Sequence, residues 1–235
     1  MAAKHKVVEH DEWLKARKAF LAKEKEFTRL RDKLSKERRA LPWEEVDKEY
    51  VFDGPDGKQT LSELFDGRSQ LVVYHFMFGP DDKAGCAHCS FWADNFNDII
   101  VHLNHRDTTM VAVSRAPLAK LQAYEKRMGW TFKWVSSGGT QFNFDYQASF
   151  TPQEIKAGRA LFNYRTQNPG MADREGVSVF YKDAAGKVFH TYSTHARGID
   201  LLNTAYNYID LTPKGRDEDG RTQFWVRRHD EYDKK

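Results

Sequence analysis

The chain carries two cysteines, and they sit together in the run Cys86-Ala87-His88-Cys89. Thiols three positions apart on a helix stand one turn from each other, so an attacking sulfur at the first can be relieved by the second through a disulfide. The sequence in front of the pair fits that use. Leu71-Val72-Val73-Tyr74-His75-Phe76-Met77-Phe78 is an almost unbroken apolar run, Gly79 to Gly85 is a Gly/Pro/Asp loop, and the cysteines open what reads as a helix. A buried strand would thus deliver Cys86 to a helix N-terminus. There the unpaired N–H groups and the positive end of the dipole stabilise a thiolate. His88, protonated or donating a hydrogen bond, would lower the Cys86 pKa further and make the couple more oxidising. The same spacing also serves as half of a zinc site, yet no second cysteine pair exists to complete a four-sulfur centre.

The elements that must position this pair are legible on both sides of it. Residues 9–40 hold no Gly or Pro, and Trp13, Phe20, Phe27 and Leu34 recur at a spacing of seven beside Leu14, Leu21 and Leu30. That is a long amphipathic helix, ended by Pro42, whose stripe must be buried on its own domain or against a second copy as a homodimer. From Glu49 to Phe65, Asp53-Gly54-Pro55-Asp56-Gly57 lies between extended segments and signals a hairpin. Ser90 to Asn104 continues the cysteine helix with Phe91, Trp92, Phe96, Ile99, Ile100 and Leu103 on its buried face. Thr109 to Val113 is a second buried strand, Ser114 an N-cap and Pro117 a first-turn proline for a helix closed by Gly129, and Trp134 to Ser136 a third strand. This alternation implies parallel pairing through right-handed crossovers. Residues 137–169 read poorly beyond a short helix from Pro152 to Phe162. Val177–Tyr181 and Lys187–Tyr192 form an antiparallel hairpin at a sheet edge, Gly198 to Ile209 a last helix, and residues beyond Pro213 a charged tail anchored by Phe224, Trp225 and Val226. The expected organisation is an N-terminal helical arm over residues 1–45, one α/β domain over 46–212 and a tail over 213–235.

Bulk composition narrows the partners. A net charge of +3 with basic and acidic residues interleaved leaves no footprint for nucleic acid. The N-terminal residues run straight into charge with no apolar segment, so neither a signal peptide nor a membrane span is expected, and a cytoplasmic setting makes the cysteine pair a working couple.

The assembled order of elements from Glu49 to Thr212 resembles the thioredoxin fold in its peroxiredoxin-like form, a mixed sheet flanked by helices. More specifically, Tyr74-His75-Phe76-Met77-Phe78-Gly79, the run from Cys89 to Phe96, Val113 to Leu118, His190 to Thr194 and Asp210 to Asp217 resemble the bacterial domain-of-unknown-function family 899, within the thioredoxin-like superfamily. The resemblance implies several roles. Cys86-Ala87-His88-Cys89 is similar to the centres of disulfide-forming and isomerising oxidoreductases. His75 falls where thioredoxins keep a buried acid, which would make it the proton acceptor for Cys89. The place of the thioredoxin cis-proline falls near Glu175-Gly176-Val177, where this chain has no proline, and Gly176 and Val177 are the candidates to face the site. From the residues themselves, Arg115 in the loop after the second strand would add positive charge near the Cys86 sulfur, and Trp92 is a core or rim residue that is a candidate substrate contact.

The expected activity is thiol–disulfide exchange on a disulfide-containing protein, a small thiol or a peroxide, with no cofactor. Peroxiredoxins place a Thr three residues before their attacking cysteine, whereas this chain has Lys83 there. Two other classes stay open. One is metal delivery, in which His190 or His195 joins the cysteines around a soft ion such as Cu(I); the other is an interaction protein that uses the fold without chemistry.

Overall fold

The computed structural model describes residues 5–232. The chain divides into two compact units, Met1–Pro42 and Trp43–Lys235. The first is built on one helix, α1 (His10–Arg39), with acidic residues in its first turn and Lys36, Arg38 and Arg39 in its last, the arrangement that complements the helix dipole. None of its residues is buried, and Trp13, Phe20, Phe27 and Leu34 stay about half exposed or more.

In the second unit the strands and helices follow in the order β1 (Glu44–Glu45), β2 (Val51–Gly54), β3 (Gly57–Thr60), β4 (Gln70–His75), α2 (Ala87–Ala93), α3 (Ile100–His105), β5 (Thr108–Ser114), α4 (Leu118–Met128), β6 (Trp134–Ser136), α5 (Phe142–Asp145), α6 (Pro152–Ala157), β7 (Ala160–Phe162), β8 (Arg165–Gln167), β9 (Gly176–Lys182), β10 (Val188–His195) and α7 (Thr204–Ile209). Eight strands form one sheet in the order β1-β10-β9-β4-β5-β6-β2-β3. β4, β5 and β6 run parallel, while β9 lies antiparallel to β4 and β10 antiparallel to β9. The sequence β4-α2-β5-α4-β9-β10-α7 with strands ordered β10-β9-β4-β5 is the thioredoxin-like arrangement expected from the order of elements.

Side chains alternate along β4 and so divide the core in two. Tyr74 lies with Cys89, Phe91, Trp92, Leu121, Tyr124 and Tyr206 on the face covered by α2, α4 and α7. Leu71 and Val73 lie with Phe52, Leu64, Phe65, Phe142 and Phe180 on the other.

Several local expectations change. The cysteine helix stops at Ala93, because the Asn95 amide donates to the carbonyls of Phe91 and Trp92, occupying acceptors that the next turn would have used. A 3-10 turn over Asn97–Ile99 then leads into α3. Ser114 is not an N-cap: it ends β5, and its hydroxyl donates to the Phe76 carbonyl. Pro117 takes the cap position instead. The helix from Pro152 closes at Gly158, which adopts the left-handed conformation (φ 63°), and the following residues form the small β7–β8 hairpin. Residues 196–209 divide into a 3-10 segment and α7, separated by the Asn203 cap. Among the described residues no helix is long and apolar enough to cross a membrane.

Candidate functional site

The loop after β4 returns to meet the start of α2. The Cys86 N–H donates to the Met77 carbonyl at 3.1 Å, and Cys86 occupies the N-cap position of α2 with extended backbone (φ −58°, ψ 131°). Both cysteines are free thiols; Cys86 is partly exposed and Cys89 fully buried. Cys86 opens onto a cavity of about 370 Å³ lined also by Met77, Asp82, Arg115, Met171 and Asp173. One sulfur is therefore open to the cavity while the other is enclosed behind it.

Their environments pull the two thiols apart. Cys86 is held below the usual thiol range, chiefly by a hydrogen bond from Cys89 and further by the backbone N–H groups of Cys89 and His88, against the opposing effects of burial and of Glu175. Cys89 is pushed well up, first by burial, then by its bond to Cys86 and by the charges of Cys86 and Glu175. The Met77 N–H donates to the Cys89 sulfur at 3.4 Å. The single Cys89 proton is also within reach of Glu175 Oε2, at 3.4 Å, so it is shared between Cys86 and the carboxyl. Burial raises the Glu175 carboxyl above the ordinary range, with Cys89 and Arg174 partly offsetting it. The buried Tyr74 hydroxyl completes this group. It is raised mainly by burial and then by the charges of Cys89, Glu175 and Cys86.

Glu175, not His75, is the titratable group beside Cys89. On β4, His75 follows Leu71 and Val73 to the face opposite the cysteines, while Tyr74 faces them. His75 Nε2 lies 2.9 Å from Ser178 Oγ, which meets Ser193 Oγ at 2.9 Å, which meets His190 Nε2 at 2.7 Å. His195 joins the same face, since His195 and His75 both pair with Gly176 from its two sides. A Cβ on Gly176 would fall 2.4 Å from His195 Nδ1, so only glycine fits beneath that ring. His190 and His195 therefore cannot serve as third ligands to a metal held by Cys86 and Cys89.

These histidines make a pH prediction of their own. Burial, helped by neighbouring histidines, depresses His75 to about 3 and His195 to about 4. Both stay neutral in the fold but bind protons when unfolded below about pH 6.5, so they stabilise the protein above that value and this contribution is lost as pH falls toward their folded values. Glu175, raised instead, opposes them above the ordinary carboxyl range. In denaturant melts between pH 6 and 5, His75→Asn should flatten the loss of stability by about 1.4 kcal/mol per pH unit. An unchanged slope would show that His75 is protonated in the fold.

The other expected residues divide. Arg115 lines the Cys86 cavity, but its guanidinium is paired with Asp173 at 2.8 and 3.0 Å, and Asp173 also accepts from Ser149. Val177 is buried on the cysteine face and Gly176 lies on the opposite one. Trp92 is a core residue whose indole donates to the Ile199 carbonyl, not a platform for substrate. His88 is depressed by burial and by Arg227, so its ring is neutral at pH 7; its backbone N–H, not a ring charge, favours the Cys86 thiolate. Residues 213–232 are docked: Val226 is buried and Trp225 packs edge-on against Phe91 at 5.4 Å.

Among solved structures, the chain is similar to the Xanthomonas campestris bacterioferritin comigratory protein, described for its alkyl peroxide reduction activity, with 15% identity and a TM-score of 0.42 over 66% of this chain and 88% of that one. It is similar also to the peroxidoxin BcpB of Mycobacterium tuberculosis, with 14% identity and a TM-score of 0.40 over 71% and 96% of the two chains. A putative protein disulfide isomerase from Bacteroides thetaiotaomicron gives 17% identity and a TM-score of 0.39 over 69% and 86%. No curated protein matches the sequence. The family model described as "Bacterial protein of unknown function (DUF899)" matches residues 2–232, and the chain belongs to that family.

Proposed function

We propose that the protein is a thiol–disulfide oxidoreductase whose centre is Cys86, Cys89 and Glu175. The observation that carries this reading is the division of labour between the sulfurs: the lowered one opens onto a cavity, while the raised one is buried against a carboxyl. The Cys86 thiolate attacks one sulfur of a substrate disulfide; a Cys86–substrate bond forms and the other half leaves as thiolate. Cys89 then gives its proton to the Glu175 carboxylate and attacks the Cys86 sulfur. The second half of the substrate leaves, and the protein ends as the Cys86–Cys89 disulfide, two electrons poorer. With a hydroperoxide the first attack would break the O–O bond, leaving a sulfenic acid on Cys86 and an alkoxide that takes a solvent proton to depart as the alcohol; the same Cys89 step would then expel hydroxide, which takes the proton from Glu175 and leaves as water.

Metal delivery is the weaker reading, because the histidines it needed stand on the other face of the sheet. Among the described residues, no group of three or more His, Cys, Asp or Glu is placed to hold an ion.

The test is to mix the reduced protein with hydroxyethyl disulfide and, separately, with cumene hydroperoxide, and to follow protein mass. Conversion to the intramolecular disulfide, with both halves of the disulfide reagent released as thiol, is the expected result, and the relative rates separate disulfide from peroxide chemistry. Thiols that survive both reagents while binding Cu(I) stoichiometrically would overturn the proposal.

A further inference from the structure

The peptide unit that joins Gly85 to Cys86 is gripped at both edges. Its N–H, on Cys86, donates to the Met77 carbonyl at 3.1 Å. Its carbonyl, on Gly85, accepts two hydrogen bonds from the Arg228 guanidinium, from Nη2 at 2.7 Å and from Nε at 3.1 Å. The next carbonyl, on Cys86, is held from inside α2 by the Ser90 N–H at 3.0 Å and the Ser90 hydroxyl at 2.8 Å.

These contacts close into a ring. Ser90 Oγ lies 2.9 Å from the Tyr124 hydroxyl, and Arg228 Nε donates to that hydroxyl at 2.9 Å. Gly85 has no freedom within it: a Cβ there would stand 2.8 Å from Tyr124 Cε1 and 2.9 Å from Phe76 Cε1. Arg228 is itself set in place by Glu231 at 3.2 Å, and Glu231 by Arg127 at 2.8 Å. At the far end of the helix, His229, the neighbour of Arg228, meets Asp94 at 2.7 Å. The C-terminal segment thus holds the cysteine helix from the residues that flank its two ends, Gly85 before it and Asp94 after it.

We propose that Arg228 is a positioning residue for Cys86, its forked donation to the Gly85 carbonyl fixing the peptide plane that sets where the Cys86 sulfur stands against the N–H groups of α2. This rests on the thiol-exchange reading of Cys86. A planar guanidinium suits the task because two donors converging on one oxygen from a fixed plane restrain the direction of the carbonyl, whereas one donor on a flexible stem restrains mainly its distance. Without it the plane can rotate about the Met77 bond, and a small swing carries the sulfur out of line with the donors that stabilise its anion.

The test is the rate of alkylation of Cys86 by iodoacetamide across pH, together with the equilibrium of the Cys86–Cys89 disulfide against glutathione, in the full-length protein. Arg228→Gln should slow alkylation at pH 7 about tenfold and move the midpoint of its pH profile up by about one unit. Arg228→Lys, which keeps the charge and offers a single donor atom, should fall between the two and serves if the glutamine variant does not fold. Tyr124→Phe removes a ring member but leaves the Gly85 carbonyl its fork, and its profile should match the parent. Arg228 variants that melt earlier yet keep the parental profile and glutathione equilibrium would overturn the inference alone. A parent protein that alkylates no faster than glutathione itself would overturn it together with the thiol-exchange reading.

Discussion

Replacing Cys86 with Ser is expected to lower the rate of disulfide reduction by at least about a thousandfold, because a hydroxyl at this position is neither ionised nor nucleophilic at neutral pH. The fold should tolerate the change, since Cys86 is partly exposed and its backbone makes the helix-capping contacts. Replacing Cys89 with Ser should have a different signature. Cys86 would still attack, but nothing would expel the second half of the substrate, and the protein should accumulate as a mixed disulfide visible by mass. If both variants stalled without a covalent adduct, Cys86 would not be the attacking sulfur. If Cys89→Ser turned over at the parental rate, the buried thiol would be a packing group only.

Glu175→Gln carries the second large effect. The Cys89 thiol is raised by burial, so at pH 7 it needs an acceptor for its proton as it attacks, and Glu175 Oε2 is the group it already contacts. Glutamine keeps the size and a hydrogen-bonding oxygen but cannot take the proton. Closure of the disulfide, followed by stopped flow from a preformed mixed disulfide, should slow about a hundredfold at pH 7, while the initial attack by Cys86 keeps its rate. The pH dependence should change with it. In the parent, closure levels off once Glu175 is ionised; in the variant it should climb steadily with pH, since only solvent hydroxide removes the proton. A variant that closes within twofold of the parent at pH 7 would remove Glu175 from the reaction.

How far these residues could be read in advance depends on the pleat of two strands. The apolar run through Tyr74 fixed the position of β4, but not which of its faces meets the cysteines, and reading it one residue out placed His75 beside Cys89 where the chain has Tyr74. The same alternation held the remedy. Val177 was expected to face the site and does lie on the cysteine face, and a residue two before it on an extended chain shares its side, which is Glu175. What hid Glu175 was its setting among Asp173 and Arg174, where a charged run reads as solvated loop. The cysteine pair, the strand before it and the β9–β10 hairpin were legible because each is a local pattern; the two-residue β1, which pairs with β10 and takes the edge expected of that hairpin, was not. The division of the helix after Ala93 was not, because it is decided by a single amide turned back on the carbonyls of Phe91 and Trp92. Nor was the docking of residues 213–232, which rests on contacts spanning more than a hundred positions, Arg228 to Tyr124 and His229 to Asp94 among them.

Gly85 and Arg228 stand 143 positions apart in the chain. The turn in front of Cys86 is thus closed by a contact of high sequence separation, the kind whose loop-closure entropy must be met before it stabilises the fold. On the thiol-exchange reading proposed above, a growing or half-folded molecule would carry two ordinary thiols, and reactivity would arrive with maturation.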